Sequence, residues 1–373
     1  MAPPLAFPFE SLAVRRQVVA AIGLAVVIAG TFVFAKKASR ERDSISAAEI
    51  GLGLIQAALA MKMISSGMLE FGGAAIGVWL GMWYMRFYCL PKWFIDPARR
   101  IDAVAWAMTA GLFVVAVSSY YVYLRSPGGA MATHGRLNGI TGNAQHLGLA
   151  LASSIAAPVY LLKKYRSRGF AQQVSFLAVI LLTAYLVLLT GSRMAAAGLA
   201  LAVVLQMKPR LIIPCLFASL LAGLLAEPIL AIIREDQYLS TITRTNNTRG
   251  DVWMTQWRQF TANPAFGVTL RGDRLGFAES SWLGLLATVG VVGIPGMLVF
   301  LFGLSQDVYK LWRKGLKFQG EGSAELMFIA AGMSSLLFCS FFEAFMLGTI
   351  TMALTTVYYY GFALSGLKRL RVV

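Results

Sequence analysis

Charge is scarce in this chain. Of its 373 residues only 13% are charged, while 58% are hydrophobic. Ordinary soluble domains carry roughly 25% charged residues, so a conventional water-soluble domain is excluded. Cysteine is scarcer still. Cys89, Cys215 and Cys339 are the only three, all within apolar runs, which rules out a disulfide framework and offers no zinc-type spacing. Histidine occurs twice, as His134 and His146. There is no Asp-x-Asp pair, no His/Cys cluster, no phosphate-binding Gly-rich loop ending in Lys and no Gly-x-Ser-x-Gly elbow. A metal site therefore has no support in the sequence, and no cofactor is expected.

What the chain does have is a succession of apolar runs of about 20 residues, the length that crosses a hydrocarbon core of about 30 Å. Expected spans are 17–35, 46–64, 67–90, 102–124, 143–162, 171–189, 193–207, 211–230, 281–304, 324–342 and 345–364. The fold class is all-α and polytopic, with about 11 (10–12) transmembrane helices. Neither an internal repeat nor a low-complexity linker is visible, so residues 1–373 are read as a single transmembrane domain. The run at 17–35 resembles a signal peptide, but Lys36-Lys37 directly after it favours a retained helix.

The net charge of +16 invites a nucleic-acid reading. In a membrane protein its simpler source is basic cytoplasmic loops, and no nucleic-acid partner is expected. KKASRER (36–42), KKYRSR (163–168), KPR (208–210), KLWRKGLK (310–317) and KRLR (368–371) are assigned to the cytoplasm on that rule. Counting spans from them puts 125–142, the corner 190–193 and the long polar interval 232–279 on the opposite face. Eleven spans leave the N-terminus outside, an awkward place for Arg15-Arg16.

The polar interval holds Arg234, Arg244, Arg249, Arg258, Arg271 and Arg274 and no lysine. Planar guanidinium groups grip phosphate in a bidentate fork, which a lysine cannot. Within the interval, 248–264 reads as a helix. Thr248 and Asp251 approximate a capping box, and Asn263-Pro264 stops it. Arg249, Trp253, Trp257 and Phe260 share one face at spacings of four, four and three. This is either an anion-binding helix lying among headgroups or a surface helix anchored by tryptophan.

Other polar clusters open spans. TGSR (190–193) puts Arg193 at the start of a helix, as an anion ligand or as an interfacial anchor. Glu279-Ser280-Ser281-Trp282 precedes Gly290, Gly293, Pro295 and Gly296. Glu279 is either a general base tuned by burial or a carboxylate complementing a helix dipole. GNAQHLG (142–148) supplies Asn143, Gln145 and His146, to bind sugar hydroxyls or to bond neighbouring helices. Glu343, near the end of its span, is open to the same two readings.

The order of these features resembles the bacterial O-antigen ligase and polysaccharide polymerase superfamily. The resemblance rests on TGSR, on Arg249-x-x-x-Trp253 within a large loop, on NPAFGVTLRGD at 263–273 (close to a "plf-G-x-G" pattern), and on a polar pair opening a span with Gly290-x-x-Gly293. It covers roughly 190–296. It implies an enzyme of the bacterial inner (cytoplasmic) membrane with a periplasmic loop at 231–280 containing short helices. Such an enzyme is a glycosyltransferase that takes a glycan from an undecaprenyl-diphosphate-linked oligosaccharide.

Carried over by position, Arg193 and Arg249 hold the donor diphosphate. Arg244, Arg258, Arg271, Arg274, Asn143, Gln145, His146 and Trp253 line the substrate path. Ligases of the superfamily place a histidine where this chain has Glu279, and the second glycine of the loop pattern is replaced (Gly267-Val268-Thr269). The departure favours a polymerase of exopolysaccharide, capsule or O-antigen repeats, with Glu279 as base and no metal. The alternatives are a ligase acting on lipid A–core and, from another class, a flippase of lipid-linked sugars. Membrane lipid and a chain-length-regulating protein are the other expected partners.

Overall fold

A computed structural model describes residues 45–94, 96–126, 131–132, 136–167, 169–207, 249–269, 280–317, 322–343 and 352–369. The expected spans at 17–35 and 211–230, the residues Arg15, Arg16, His134, Arg234, Arg244, Thr248, Arg271, Arg274 and Glu279, and most of the 231–280 interval lie outside them. The described chain is almost entirely helical: α1 (Ala47–Ser65), α2 (Leu69–Tyr84), α3 (Pro97–Arg125), α4 (Ala144–Ser154), α5 (Ala156–Lys164), α6 (Phe170–Leu189), α7 (Arg193–Val204), α8 (Arg249–Ala262), α9 (Ser281–Val289), α10 (Ile294–Lys317), α11 (Ser323–Ser340) and α12 (Met352–Arg369). A π-helical turn, Met85–Cys89, and a short turn, Leu90–Trp93, extend α2. A minimal antiparallel ladder pairs β1 (Met131–Ala132) with β2 (Arg136–Leu137).

Six helices among the described residues are long and apolar enough to cross a membrane: Ala47–Ser65, Ala98–Arg125, Ala144–Lys164, Phe170–Leu189, Ser281–Lys317 and Ser323–Ser340. They agree with expected spans 46–64, 102–124, 143–162, 171–189, 281–304 and 324–342. The helices begin where a side chain can satisfy free backbone N–H groups. Ser46 and Glu49 form a reciprocal capping box at α1, Asp96 caps α3 ahead of Pro97, and Asn143 caps α4.

The expected single span 281–304 is interrupted. Gly290 has φ +69°, and a 3-10 turn, Gly290–Gly293, separates α9 from α10. Eighteen residues of straight helix would separate Trp282 and Phe300 by about 27 Å, yet their ring centroids are 6.2 Å apart. The chain therefore bends sharply, and α9 leans back along α10.

Glycine sets the closest helix contact. On α1, Gly51 faces the backbone of Phe300. On α10, Gly303 faces the backbone of Ala47 and Ala48, and Gly296 faces Ile55. The pairing 48/303, 51/300, 55/296 makes the helices antiparallel. With no hydrophobic drive between helices in lipid, close backbone approach through small residues supplies the packing. At α11, Gly332 accommodates the ring of Tyr360 from α12.

The bundle has two unlike ends. At one, Lys164 bridges Asp102 (2.7 Å) and Glu325 (2.8 Å), and the Tyr160 hydroxyl lies 2.6 Å from Asp102. Lys163 donates to the Gln206 carbonyl, and Arg100 donates to Ser365 at 2.8 Å. These contacts gather the start of α3, the ends of α5, α7 and α12, and the start of α11. Lys163 and Lys164 lie in the last turn of α5 at this end, and Ser323 at the start of α11 donates to Gly315 O of α10 at 3.0 Å. The other ends of α4, α7 and α11 form the opposite face.

Gly303→Ala should separate α1 from α10, because the added methyl meets the backbone of Ala47 and Ala48; overpacking of this kind costs about 1–3 kcal/mol. Gly77→Ala, which enters open space, should be neutral or stabilising by up to about 1 kcal/mol on helix propensity. Thermal unfolding of the purified protein in detergent reads both, and equal midpoints would contradict the packing.

Candidate functional site

The corner between α6 and α7 is built by its own polar atoms. Thr190 is fully buried; its hydroxyl donates to Val187 O at 2.7 Å. Gly191 takes φ +58° to reverse the chain, and Ser192 caps α7 by accepting from Ala195 N at 3.3 Å. Arg193 is thus the first residue of α7, and it is exposed.

Three other polar chain ends meet this corner or its neighbours. A Cβ on Gly148 of α4 would sit 2.9 Å from both Thr190 Oγ1 and Ala195 Cβ, so α4 lies hard against the corner. The Asn143 side chain, at the head of α4, accepts from the backbone N–H groups of Gln145 (2.8 Å) and His146 (3.2 Å). The last turn of α11 packs on the first turn of α7, where the Cys339 thiol lies 3.5 Å from Met194 O. Beyond it, Ser281 of α9 donates to the Glu343 carbonyl at 2.5 Å, and Trp282 donates to Ser340 Oγ at 3.0 Å. Glu343 itself is 6% exposed, and Ser280 caps α9. Asn143, Ser192 and Ser280 therefore bring the N-terminal ends of α4, α7 and α9 to one region. Backbone N–H dipoles there favour an anion.

Of the expected site residues, Asn143, Gln145, His146 and Arg193 lie at this face. Trp253 reaches its margin, with its ring 6.1 Å from that of Phe342. Arg249 is the first residue of α8. Arg258 is exposed on α8. Glu279 directly precedes Ser280, but with Arg244, Arg271 and Arg274 it falls outside the described residues. On α8, Gln256 is 2% exposed whereas Trp257 is 47% exposed, and the rings of Trp257 and Phe260 pack 5.5 Å apart.

The segment after α8 docks backbone to backbone on the break after α9. Val268 N donates to Ala287 O at 2.9 Å, and Val291 N donates to Pro264 O at 2.8 Å. Gly267 (φ +66°) leaves room for nothing but hydrogen beside Thr288, and a Cβ on Gly290 would lie 2.5 Å from Pro264 O. NPAFG and Gly290-x-x-Gly293, noted separately in the sequence, are thus two halves of one joint.

Two basic residues were not nominated from sequence. Arg136 of β2 donates from Nε to Thr190 O at 2.8 Å, adding a guanidinium to the corner. Its signal was a lone arginine in the polar stretch before Asn143. Lys62, near the end of α1, donates to Phe266 O (2.7 Å) and Gly267 O (3.2 Å). A lone lysine in an apolar span is costly without a partner, and that cost was the available hint. Among the described residues no three His, Cys, Asp or Glu side chains form a cation cage. No protein-family model matches the chain, and no curated protein aligns with it.

Gly267→Ala and Gly290→Ala should each lower the melting temperature more than Gly67→Ala. All three glycines have positive φ, but Gly67 (φ +75°) faces open space. The backbone strain common to them is about 1–3 kcal/mol, and only the first two add a clash with backbone. Equal losses across the three would mean that the joint is not tightly closed.

Proposed function

We propose that this protein is a polysaccharide polymerase of the bacterial inner membrane, acting at the periplasmic face on glycans carried by undecaprenyl diphosphate. The observation that carries the reading is the gathering of polar helix starts, with Arg193 and Arg136, at the bundle end opposite Lys163 and Lys164. The positive-inside rule assigns the basic end to the cytoplasm. The arginine-rich, lysine-free interval and the motif order support a diphosphate as the charge to be met.

In this reading the acceptor is a sugar hydroxyl of another lipid-linked repeat. Its oxygen attacks the anomeric carbon of the donor sugar, forming the new glycosidic bond with inversion. The bond from that carbon to the diphosphate oxygen breaks, and undecaprenyl diphosphate departs. Glu279 takes the hydroxyl proton. Arg193 and Arg249, with Arg244, Arg258, Arg271 and Arg274 from the same interval, offset the charge that grows on the leaving diphosphate. Asn143, Gln145, His146 and Trp253 contact sugar, and no metal is invoked. Glu279 in place of the ligase histidine favours polymerisation over transfer to lipid A–core. A protein that sets chain length is the expected partner.

Reconstituted protein supplied with lipid-linked repeats tests this. Glu279→Gln should lower the rate by about 10²–10⁴, the usual worth of a general base. Arg193→Lys and Arg249→Lys, which keep charge but lose the fork, should each lower it roughly 10- to 100-fold, matching about 1.5–3 kcal/mol for a charged hydrogen bond. Chain length by mass spectrometry is the readout. Glycans that change leaflet without lengthening would replace the transferase by a flippase, and full activity in all three variants would remove the site as drawn.

A further inference from the structure

Lys62 lies in the last turn of α1, where a cation would ordinarily complement its own helix's terminal carbonyls. It reaches to another segment instead. Its ammonium donates to the carbonyls of Phe266 at 2.7 Å and Gly267 at 3.2 Å. These are adjacent residues, and the positive φ of Gly267 (+66°) lets both oxygens face one donor.

The same turn is fastened on its far side. Val268 N donates to Ala287 O at 2.9 Å, and Val291 N donates to Pro264 O at 2.8 Å. On its near side it is continuous with α8: Gly267 N donates to Asn263 O at 2.8 Å, and Asn263 N donates to Gln259 O at 3.2 Å. The turn is therefore held between Lys62 on one side and the α9–α10 break on the other. Whatever fixes it also fixes where α8, with Arg249 at its head and Trp253 against Phe342, sits relative to α9 and Ser280.

We propose that Lys62 is a positioning residue of the transfer site, clamping the 263–268 turn so that α8 presents its arginine-bearing end in register with the start of α9. This role rests on the transferase reading above. A lysine serving only as an interfacial anchor would extend its ammonium to water or to headgroups. Here two backbone acceptors, which would otherwise need replacement partners at the membrane boundary, receive it.

The test uses the full-length protein in nanodiscs, as wild type, Lys62→Met and Lys62→Arg. In Lys62→Met, amide exchange of the peptide covering 263–269 should rise at least about tenfold, while peptides within α4 and α11 keep their protection. Its kcat for chain extension should fall roughly 10- to 100-fold, the scale of a misplacement of about 1 Å, with KM little changed. Lys62→Arg should restore both readouts, since its guanidinium can still donate to two carbonyls. Should Lys62→Met fail to fold, Lys62→Leu, which likewise lacks a donor, carries the same expectation. Unaltered exchange overturns the proposal. So does a loosened turn with wild-type kcat, or an arginine variant no better than methionine. A wild-type protein that moves the glycans between leaflets without lengthening them instead removes the transferase reading, and with it the role given to Lys62, even where the turn has loosened.

Discussion

A backbone broken at the edge of a bilayer must find new partners for the N–H and C=O groups that the helix no longer pairs. This constraint governs the joint between α9 and α10. The chain turns at Gly290, and the missing bonds come from another segment: Pro264 O accepts from Val291 N, and Ala287 O accepts from Val268 N. Both contacts require glycine. At Gly267 and Gly290 the two backbones lie closer than any Cβ permits. Once the joint closes, α8 is fixed on α9, and Trp282 leans back toward Phe300.

The bundle is polar at both ends, by different physics. At the basic end, charges are matched locally. Lys164 lies between Asp102 and Glu325, so three helices share one neutralising group. At the other end the polarity comes mainly from helix starts capped by Asn143, Ser192 and Ser280, with arginines beside them. Helix starts present unpaired N–H groups and a partial positive charge. An end of this kind favours an anion from outside rather than a carboxylate within the fold.

Glu49 and Arg86 show what such a bundle must do with charge at depth. Their side chains are 12% and 2% exposed and meet at 2.6 Å. Glu49 also accepts from the Ser46 amide, so one carboxylate closes a helix cap and neutralises a buried guanidinium. The π-helical turn at Met85–Cys89 shifts the helical register locally where Arg86 meets Glu49. Buried ion pairs tolerate the loss of one partner poorly, which makes α1 and α2 a single unit up to the turn where Lys62 begins its reach.

The apolar runs by themselves determined that the chain is a helical membrane bundle. They placed the spans at 46–64, 102–124, 171–189 and 324–342, because about 20 mostly apolar residues with at most two charges have few other stable states. Hydropathy did not reveal the interruption at Gly290, because glycine and valine leave the mean hydropathy of the run high. Trp257 and Gln256 differ by one position on α8, and only the tertiary packing decides that Gln256 is the buried one. Arg136 and Lys62 were visible as isolated cations but carried no meaning until their acceptors, Thr190 O and the carbonyls of Phe266 and Gly267, were known. Those acceptors are backbone oxygens, which every residue possesses. Sequence therefore cannot single them out, and only the tertiary structure, by bringing distant turns within 3 Å or so of a charged side chain, decides which of them count.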